Sequence, residues 1–412
     1  MGYYRDVIMT LANPRIIAWE VTRRCPLACK HCRAGACDVA YDGELTTDEC
    51  LRVIDSLYGV RGLAPAFCEG GFPLRGAYSP RNEPQCVSSG ASSLDESGSK
   101  LPHSIRPMLI WTGGEPMSRP DILELVRHAT ARGIRSVMAP CGMMVTKESL
   151  FALKEAGIMA CSFSLDGATA ATHDAFRGVE GAFDIVTRAM DVAVSVGMPF
   201  QVNCTVSQLN RAELPAIRDI AIARGAKTMD LFFLVPVGRG RNLRDVSLSP
   251  DETEEVLHWM FEMEGKGGLR MRETCAPQAV RIWAQLSSRI ESRRHDSIRL
   301  DNKEKSPPPA GCLGGKSFVF ISHTGILQPC GFLDVPSGDL REHGFDFRRA
   351  YEASPVFKDL RNPDNYGGTC GICKFRADCG GCRARAYAAT GDYMATETSC
   401  PLNAQGKKKV AL

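Results

Sequence analysis

Short apolar segments alternate with amphipathic helical patterns along the N-terminal part of the chain. The segments are rich in β-branched and aromatic residues and are bounded by Gly, Pro or Asp, which predicts strands. Six consecutive strand-then-helix units predict an α/β fold in which helices cover a parallel sheet that is open or curled into a partial (β/α)6 barrel. The predicted strands are residues 16–22, 108–113, 136–140, 160–165, 200–206 and 230–237, and the predicted helices are residues 46–58, 120–133, 146–156, 183–196, 211–223, 251–264 and 276–293.

The positions of the predicted strands, helices and cysteines divide the chain into an N-terminal segment (1–15), a barrel (16–245), a helical linker (246–311) and a Cys-rich module (312–405). Residues 64–106 interrupt the barrel with a Ser-, Gly- and Pro-rich stretch that has no sustained periodicity. A long stretch of this composition predicts a mobile surface insertion.

Cysteine is the unusual component of this sequence, with 18 in 412 residues. A chain of this length with about 4% cysteine is not a disulfide scaffold. We find no secretory signal and no apolar run of the roughly 18 residues that a membrane span requires. A net charge of +3 gives no indication of nucleic-acid binding. We therefore expect a cytoplasmic protein, in which clustered thiols act as metal ligands or catalytic groups.

Three cysteines, Cys25, Cys29 and Cys32, directly follow the first predicted strand. Loops at the C-terminal ends of parallel barrel strands are where functional groups gather. Three thiolates can hold three irons of a [4Fe–4S] cluster and leave the fourth iron free for another ligand. The alternative is a zinc site completed by His31.

This Cys-x3-Cys-x2-Cys loop resembles that of the radical S-adenosylmethionine (SAM) superfamily, whose fold is a partial (β/α)6 barrel. The resemblance implies that the open iron binds SAM and that Cys25, Cys29 and Cys32 hold the cluster which generates a 5′-deoxyadenosyl radical. Members of that superfamily usually have an aromatic residue before the third cysteine, where this chain has His31.

Further motifs at strand ends match SAM-binding elements of the same superfamily. A Gly-Gly-Glu-Pro turn ends the second strand, and its glycines are expected to let the backbone approach the SAM amino group while its glutamate faces that ammonium. For each of the other positions a plain loop or packing role is the alternative. The residues that the resemblance assigns to SAM are Gly113, Gly114, Glu115, Pro116, Ser164, Asp166, Arg177, Asn203, Val237 and Gly238.

Seven more cysteines lie in the C-terminal module. Their paired x2 spacings also suit zinc, but their order resembles the SPASM extension of radical SAM enzymes, which implies two auxiliary Fe–S clusters. One cluster would be held by Cys370, Cys373, Cys379 and Cys400, and the other by Cys312, Cys330 and Cys382. Cys275 is the candidate fourth ligand of the second cluster, for which an open iron or a non-cysteine ligand is the alternative.

Local runs such as PRIIAWEVTRRC, MAPCG, TCAPQ and CGICKFRADCGGCRARA are similar to those of heme b synthases of the siroheme-dependent pathway. That similarity implies oxidative decarboxylation of two propionates of Fe-coproporphyrin III, with an electron donor such as flavodoxin or ferredoxin. Arginines beside the motif loops are candidates for binding the substrate carboxylates: Arg23, Arg24, Arg33, Arg239 and Arg241.

Three alternatives remain open at the level of sequence. The first is a related tetrapyrrole enzyme of the heme d1 or didecarboxysiroheme steps. The second is a SPASM-type peptide or sulfatase maturase, and the third is a non-catalytic Fe–S or zinc module.

Overall fold

The computed structural model describes residues 14–58, 107–293 and 309–404. The predicted insertion at residues 64–106 lies outside the described residues. Most of the N-terminal segment and the C-terminal lysines also lie outside them.

Nine strands form one sheet in the order β7-β6-β5-β4-β3-β2-β1-β8-β9. All pairs are parallel except β8 with β9. The sheet confirms the predicted α/β class, and all six predicted strands are present. The strands are β1 (Ile16–Glu20), β2 (Met108–Thr112), β3 (Arg135–Met138), β4 (Ile158–Ser164), β5 (Phe200–Val206), β6 (Thr228–Phe233), β7 (Arg270–Thr274), β8 (Phe318–Ile321) and β9 (Leu327–Gln328).

Helices follow the strands in alternation, as predicted. Several begin at capping boxes that the sequence shows, such as Thr46 with Glu49, whose side chains accept each other's backbone N–H. The helices are α1 (Thr47–Tyr58), α2 (Ile122–Ala131), α3 (Lys147–Ala156), α4 (Ala170–Arg177), α5 (Ala182–Ser195), α6 (Leu214–Ala223), α7 (Pro250–Met263), α8 (Ala279–Arg293), α9 (Phe347–Ala353), α10 (Pro355–Arg361), α11 (Gly368–Ile372), α12 (Arg383–Thr390) and α13 (Pro401–Ala404). Within the described residues, no helix is both long and apolar enough to cross a membrane.

The two faces of the sheet differ in burial. Successive strand residues point to opposite faces, and the outer set, which includes Trp19, Trp111, Phe163 and Val202, is fully buried in the main apolar core. The opposite, inner face carries half-buried and mostly polar residues on β4 to β6. The inner face is therefore the side on which a ligand finds room.

Contacts between distant loops show that the sheet curls. The backbone N–H of Arg239, after β6, donates to the carbonyl of Cys32, after β1 (3.0 Å). The ring of Phe232 on β6 lies 6.3 Å from the ring of Phe332, which follows β9. The loop of the three cysteines therefore lies over the mouth of a partial barrel.

Strand β7 lies inside the segment that we predicted as a helical linker, residues 246–311. Its sequence, RMRET, has a single apolar residue, Met271, so no alternating pattern reveals it. The strand is held by five residue pairs in parallel register with β6. The sheet consequently has seven successive parallel strands before the Cys-rich module, one more than the sequence predicts.

Candidate active site

The three cysteines after β1 come together in a small apolar cluster. Cys25 and Cys29 are buried with Leu27 and Ala36, and Cys32 packs against them. All sixteen cysteines among the described residues are free thiols. The loop therefore presents three neighbouring sulfurs that are available as ligands.

The Gly-Gly turn after β2 lies directly against the start of this loop. A Cβ at Gly113 would be 2.4 Å from the Thr22 carbonyl oxygen, and a Cβ at Gly114 would be 2.3 Å from that of Arg24. The N–H of Gly114 donates to the Thr22 carbonyl, and that of Glu115 to the Arg24 carbonyl (both 2.8 Å). The missing Cβ atoms of these two glycines thus let the turn pack directly against the backbone of the cysteine loop, and their contact with SAM stays a prediction.

Glu115 is fully buried and holds two backbone segments. One carboxylate oxygen accepts from the Met117 N–H (2.9 Å) and the other from the Cys141 N–H (2.5 Å). Burial raises the pKa of this carboxyl. Pro116 is the first residue of the short 3-10 turn that Glu115 caps. The glutamate thus fixes the position of Cys141.

Cys141, at the end of β3, lies against Cys25. The thiol of Cys141 hydrogen-bonds the sulfur of Cys25, which lowers the pKa of Cys25 and raises that of Cys141. No ligand spacing links the two cysteines in the sequence. The only signal for Cys141 is its position at a strand end.

Arg177 and Asp166 form a buried ion pair beside Cys29. The Arg177 guanidinium contacts the Asp166 carboxylate at 2.9 Å and the Cys29 sulfur at 3.5 Å. Burial is the largest influence on Asp166 and raises its pKa, but Arg177 and the other neighbouring groups together outweigh burial and lower the pKa of the carboxyl. The other Asp166 oxygen accepts from the Thr205 N–H (2.7 Å). Arg177, expected to pair with the SAM carboxylate, is therefore engaged with the cysteine loop and with Asp166.

His31 is largely buried between Asp166 and Phe176. Its Nε2 lies 3.7 Å from Asp166 and its ring packs on Phe176 at 4.8 Å. Burial lowers its pKa to about 4. Among the described residues, no three His, Cys, Asp or Glu side chains are close enough together to hold one metal ion.

The loop after β6 closes over the cysteine loop from the other side. Gly238 has a φ of +55°, and a Cβ there would be 2.2 Å from the Arg33 carbonyl oxygen. Val237 precedes it in extended conformation. Arg239 donates to the carbonyls of Cys29 (2.9 Å) and Ala36 (2.7 Å). This loop holds the backbone around the three sulfurs.

Ser164 and Asn203 lie side by side on the inner face, as paired residues of β4 and β5. Both are half-buried. The Asn203 side-chain oxygen accepts from the Gln201 amide (2.8 Å). They face the interior of the partial barrel below the cysteine loop.

Four C-terminal cysteines form a first group: Cys275, Cys312, Cys330 and Cys382. The Cys275 thiol hydrogen-bonds that of Cys382, and Cys330 lies near both Cys312 and Cys382. Cys275 has a φ of +66°, which is uncommon for a residue other than glycine. Strained backbone of this kind clusters at functional sites.

Cys370, Cys379 and Cys400 lie close together as a second group, and the Cys373 N–H donates to the carbonyl of Cys370 (3.4 Å). Three of their sulfurs accept backbone N–H groups: Cys370 from Glu397 (3.3 Å), Cys373 from Phe375 (3.4 Å) and Cys379 from Gly381 (3.4 Å). Cys379 lies near Cys400 and Cys370. Donors aimed at sulfur are among the features that tune Fe–S clusters, so this group fits such a cluster.

A buried ion pair, Arg385 with Glu397, connects the two groups. Arg385 donates to the Cys275 carbonyl (2.9 Å) and contacts a Glu397 carboxylate oxygen (3.3 Å). The other Glu397 oxygen accepts from the Cys382 N–H (2.7 Å). The two sulfur groups are therefore held in one polar network.

Four of the five candidate arginines are occupied within the chain. Arg23 and Arg33 each contact Glu20 at 3.0 Å, and Arg24 contacts Asp38 at 2.6 Å. Arg239 holds the backbone of the cysteine loop. Arg241 alone is exposed without an ion pair to any described residue.

A family model described as the Radical SAM superfamily matches residues 100–219. An AdoMet-dependent heme synthase of Methanosarcina barkeri is 37% identical over 402 residues, which cover 98% of this chain and 100% of that protein. A protein of the same name from Nitratidesulfovibrio vulgaris is 38% identical over 386 residues, 94% of this chain and 92% of that one. The crystal structure of Streptococcus suis SuiB with its precursor peptide SuiA shares the fold at 13% identity, with a TM-score of 0.64 over 97% of this chain and 77% of that chain.

Proposed function

Because the chain belongs to the radical SAM superfamily and, within it, to the family of the AdoMet-dependent heme synthases, we propose that it converts Fe-coproporphyrin III to heme b. The chain is an enzyme whose family brings a [4Fe–4S] cluster and SAM as cofactors. The observation that carries the proposal is the near-full-length similarity to heme synthases, in a chain that gathers cysteines at three places. In general terms, the proposed reaction is the modification of side chains on a tetrapyrrole.

In the proposed reaction, two propionates become vinyl groups by oxidative decarboxylation. Each propionate side chain loses a hydrogen atom from the carbon β to its carboxylate, then breaks the bond to the carboxyl carbon and releases CO2 and one electron, which leaves the vinyl group. When bound, the cluster and SAM supply the 5′-deoxyadenosyl radical that takes the hydrogen atom. Two propionates need two such cycles and two SAM molecules.

We assign the cluster to the three sulfurs of Cys25, Cys29 and Cys32. Arg177 donates to the Cys29 sulfur and Cys141 to the Cys25 sulfur, so two neighbouring donors stabilise thiolate charge. The SAM contacts proposed from the sequence remain Gly113, Gly114, Glu115, Pro116, Ser164, Asp166, Arg177, Asn203, Val237 and Gly238. Ser164 and Asn203 are the two with side chains on the inner face.

The C-terminal cysteines would hold the two auxiliary clusters. We assign Cys275, Cys312, Cys330 and Cys382 to one and Cys370, Cys373, Cys379 and Cys400 to the other. Each cycle releases one electron from the porphyrin, and a nearby cluster is a suitable acceptor. A donor such as flavodoxin or ferredoxin would supply the electron that starts each cycle.

The test is an anaerobic assay of the iron-loaded enzyme with Fe-coproporphyrin III, SAM and a strong reductant. We expect heme b, with the loss of two CO2 seen by mass spectrometry and about two 5′-deoxyadenosines per heme. A Cys29→Ala variant, which lacks one proposed ligand, serves as the inactive control. Unchanged porphyrin beside robust SAM cleavage would overturn the substrate assignment, and a different tetrapyrrole or a peptide would then be sought.

A further inference from the structure

Four polar residues lie side by side across four strands of the inner face. Ser164 pairs with Asn203, Asn203 with Asp230, and Asp230 with Arg272. Their sequence neighbours on β4 to β6 point to the opposite face and are buried against the helices there, as Phe163, Val202 and Met229 illustrate. We refer to Ser164, Asn203, Asp230 and Arg272 as the polar row.

The polar row extends from the proposed SAM site to the edge of the sheet. Neighbouring strands lie about 4.8 Å apart, so the row spans roughly 14 Å from Ser164 to Arg272. That span is comparable with the width of a porphyrin. Ser164 and Asn203 stand at the SAM end, and Arg272 stands on β7, the last strand on this side of the described sheet.

Burial raises the pKa of the nearby carboxyls of Asp230 and Glu273 and Arg272 acts to lower it, but Arg272 forms no ion pair with them. Its side chain is exposed, and no carboxylate of the described residues lies within 4.0 Å of its guanidinium. The neighbouring Asp230 uses one carboxylate oxygen to accept from the Thr274 hydroxyl (3.0 Å). Arg272 thus presents an available guanidinium to the interior of the barrel.

Four of the five arginines suggested by the sequence already have partners within the chain, and the fifth, Arg241, is exposed but lies in the helical turn after β6 rather than on a strand of the polar row. Arg23, Arg24 and Arg33 are committed to acidic side chains, and Arg239 to backbone carbonyls. Arg270 shares the inner face with Arg272 but lies at the start of β7, two residues farther from the C-terminal ends of the strands. Arg272 is the arginine that shares a row with Ser164 and Asn203.

We infer that Arg272 binds a carboxylate of the tetrapyrrole other than the one that reacts in a given catalytic cycle; this inference rests on the proposed function. The reacting carbon must lie beside SAM, near Asn203, whereas Arg272 is two strands away, roughly 10 Å. A guanidinium binds a carboxylate through two parallel N–H···O bonds. Arg272 is therefore a specificity-determining residue that sets which propionate faces SAM.

The test compares Arg272→Gln and Arg272→Lys with Arg188→Gln in the iron-loaded enzyme. Arg188 is an exposed arginine on the outer helix α5, so its variant makes the same charge change outside the barrel. We expect KM for Fe-coproporphyrin III and the Kd from Soret titration to rise roughly 10- to 100-fold in Arg272→Gln, the range for losing a charged hydrogen-bonded pair. Arg272→Lys should recover part of this loss, and Arg188→Gln should match the wild type.

A second measurement uses the tetramethyl ester of Fe-coproporphyrin III as a binding probe. The wild type should prefer the free acid, and Arg272→Gln should lose part of that preference because it lacks the guanidinium that binds one of the carboxylates. If the wild type makes heme b while Arg272→Gln keeps wild-type KM and Kd, the inference is overturned and the proposed function stands. If the wild type neither binds nor converts Fe-coproporphyrin III, both are overturned.

Discussion

At the scale of single residues, the contact between Cys141 and Cys25 makes a prediction about reduction potential. A thiol that donates to a cluster cysteine stabilises the more negative, reduced cluster. Replacing Cys141 with Ala removes that donor, so the midpoint potential of the cluster proposed at Cys25, Cys29 and Cys32 should fall by roughly 20–60 mV, from about 0.5–1.5 kcal/mol for a neutral hydrogen bond.

Redox titration followed by EPR measures this shift. Cys161→Ala is the matched control, because Cys161 is a buried thiol on the outer face of β4. Equal potentials in Cys141→Ala and the wild type would show that the contact does not persist in the loaded enzyme.

The burial of His173 leads to a second prediction at this scale, about how the stability of the fold depends on pH. His173 is buried, and its Nδ1 accepts from the Asp166 N–H (3.0 Å). Burial lowers its pKa to about 4, against 6.5 when unfolded. The unfolded chain binds the proton at a higher pH than the folded chain does. The contribution of His173 to the free energy of unfolding is therefore fully present above pH 6.5 and is lost as the pH falls toward 4, with a loss of about 2 kcal/mol between pH 7.5 and pH 5.

Chemical denaturation under anaerobic reducing conditions at those two pH values tests this. His173→Gln keeps an acceptor for the Asp166 N–H but does not titrate, so its pH dependence should be smaller than that of the wild type by this amount. Parallel pH profiles for the two proteins would contradict the assignment.

At the scale of elements, capping and apolar alternation predicted the units of the barrel, because both signals are local. The prediction missed β7, whose residues are mostly charged and whose stability comes from its register with β6. Cys275 follows directly after this strand, so its approach to Cys382 depends on a strand that has no local signal. The spacing of the other seven C-terminal cysteines is visible in the sequence, since a metal-binding loop leaves a local pattern, and their role as ligands stays a prediction.

The position of Cys275 at the end of β7 predicts a cluster ligand. Three four-iron clusters would give roughly 12 iron per chain. Cys275→Ala should lose up to a third of this iron or change the EPR signal of one cluster, while the three-cysteine cluster still cleaves SAM. Cys50→Ala, at a buried cysteine on α1, is the control. If Cys275→Ala has the iron content and EPR spectra of the wild type, Cys275 is not a ligand, and only the other three cysteines of the first group remain as ligands.

At the scale of the whole molecule, the barrel and the Cys-rich module share one sheet. Strand β8 of the module pairs with β1 in parallel, and His323 lies 2.8 Å from the buried carboxylate of Glu20. Arg385 donates to the carbonyls of Phe233, the last residue of β6, and Leu234, which follows it. The sequence shows the module as a separate run of cysteines, because pairing between strands 300 residues apart leaves no local pattern.

This shared sheet predicts that the barrel does not fold without the module. A chain that ends after residue 311 loses β8, so β1 becomes an edge strand with unpaired backbone groups, and Glu20 loses His323 while remaining in the interior. Such a chain should aggregate or unfold without cooperativity, as measured by size-exclusion chromatography and urea denaturation. A chain that ends after residue 404 keeps every described element and should behave like the full chain. A soluble 1–311 chain that unfolds cooperatively and binds about four iron would show instead that the barrel is an independent domain.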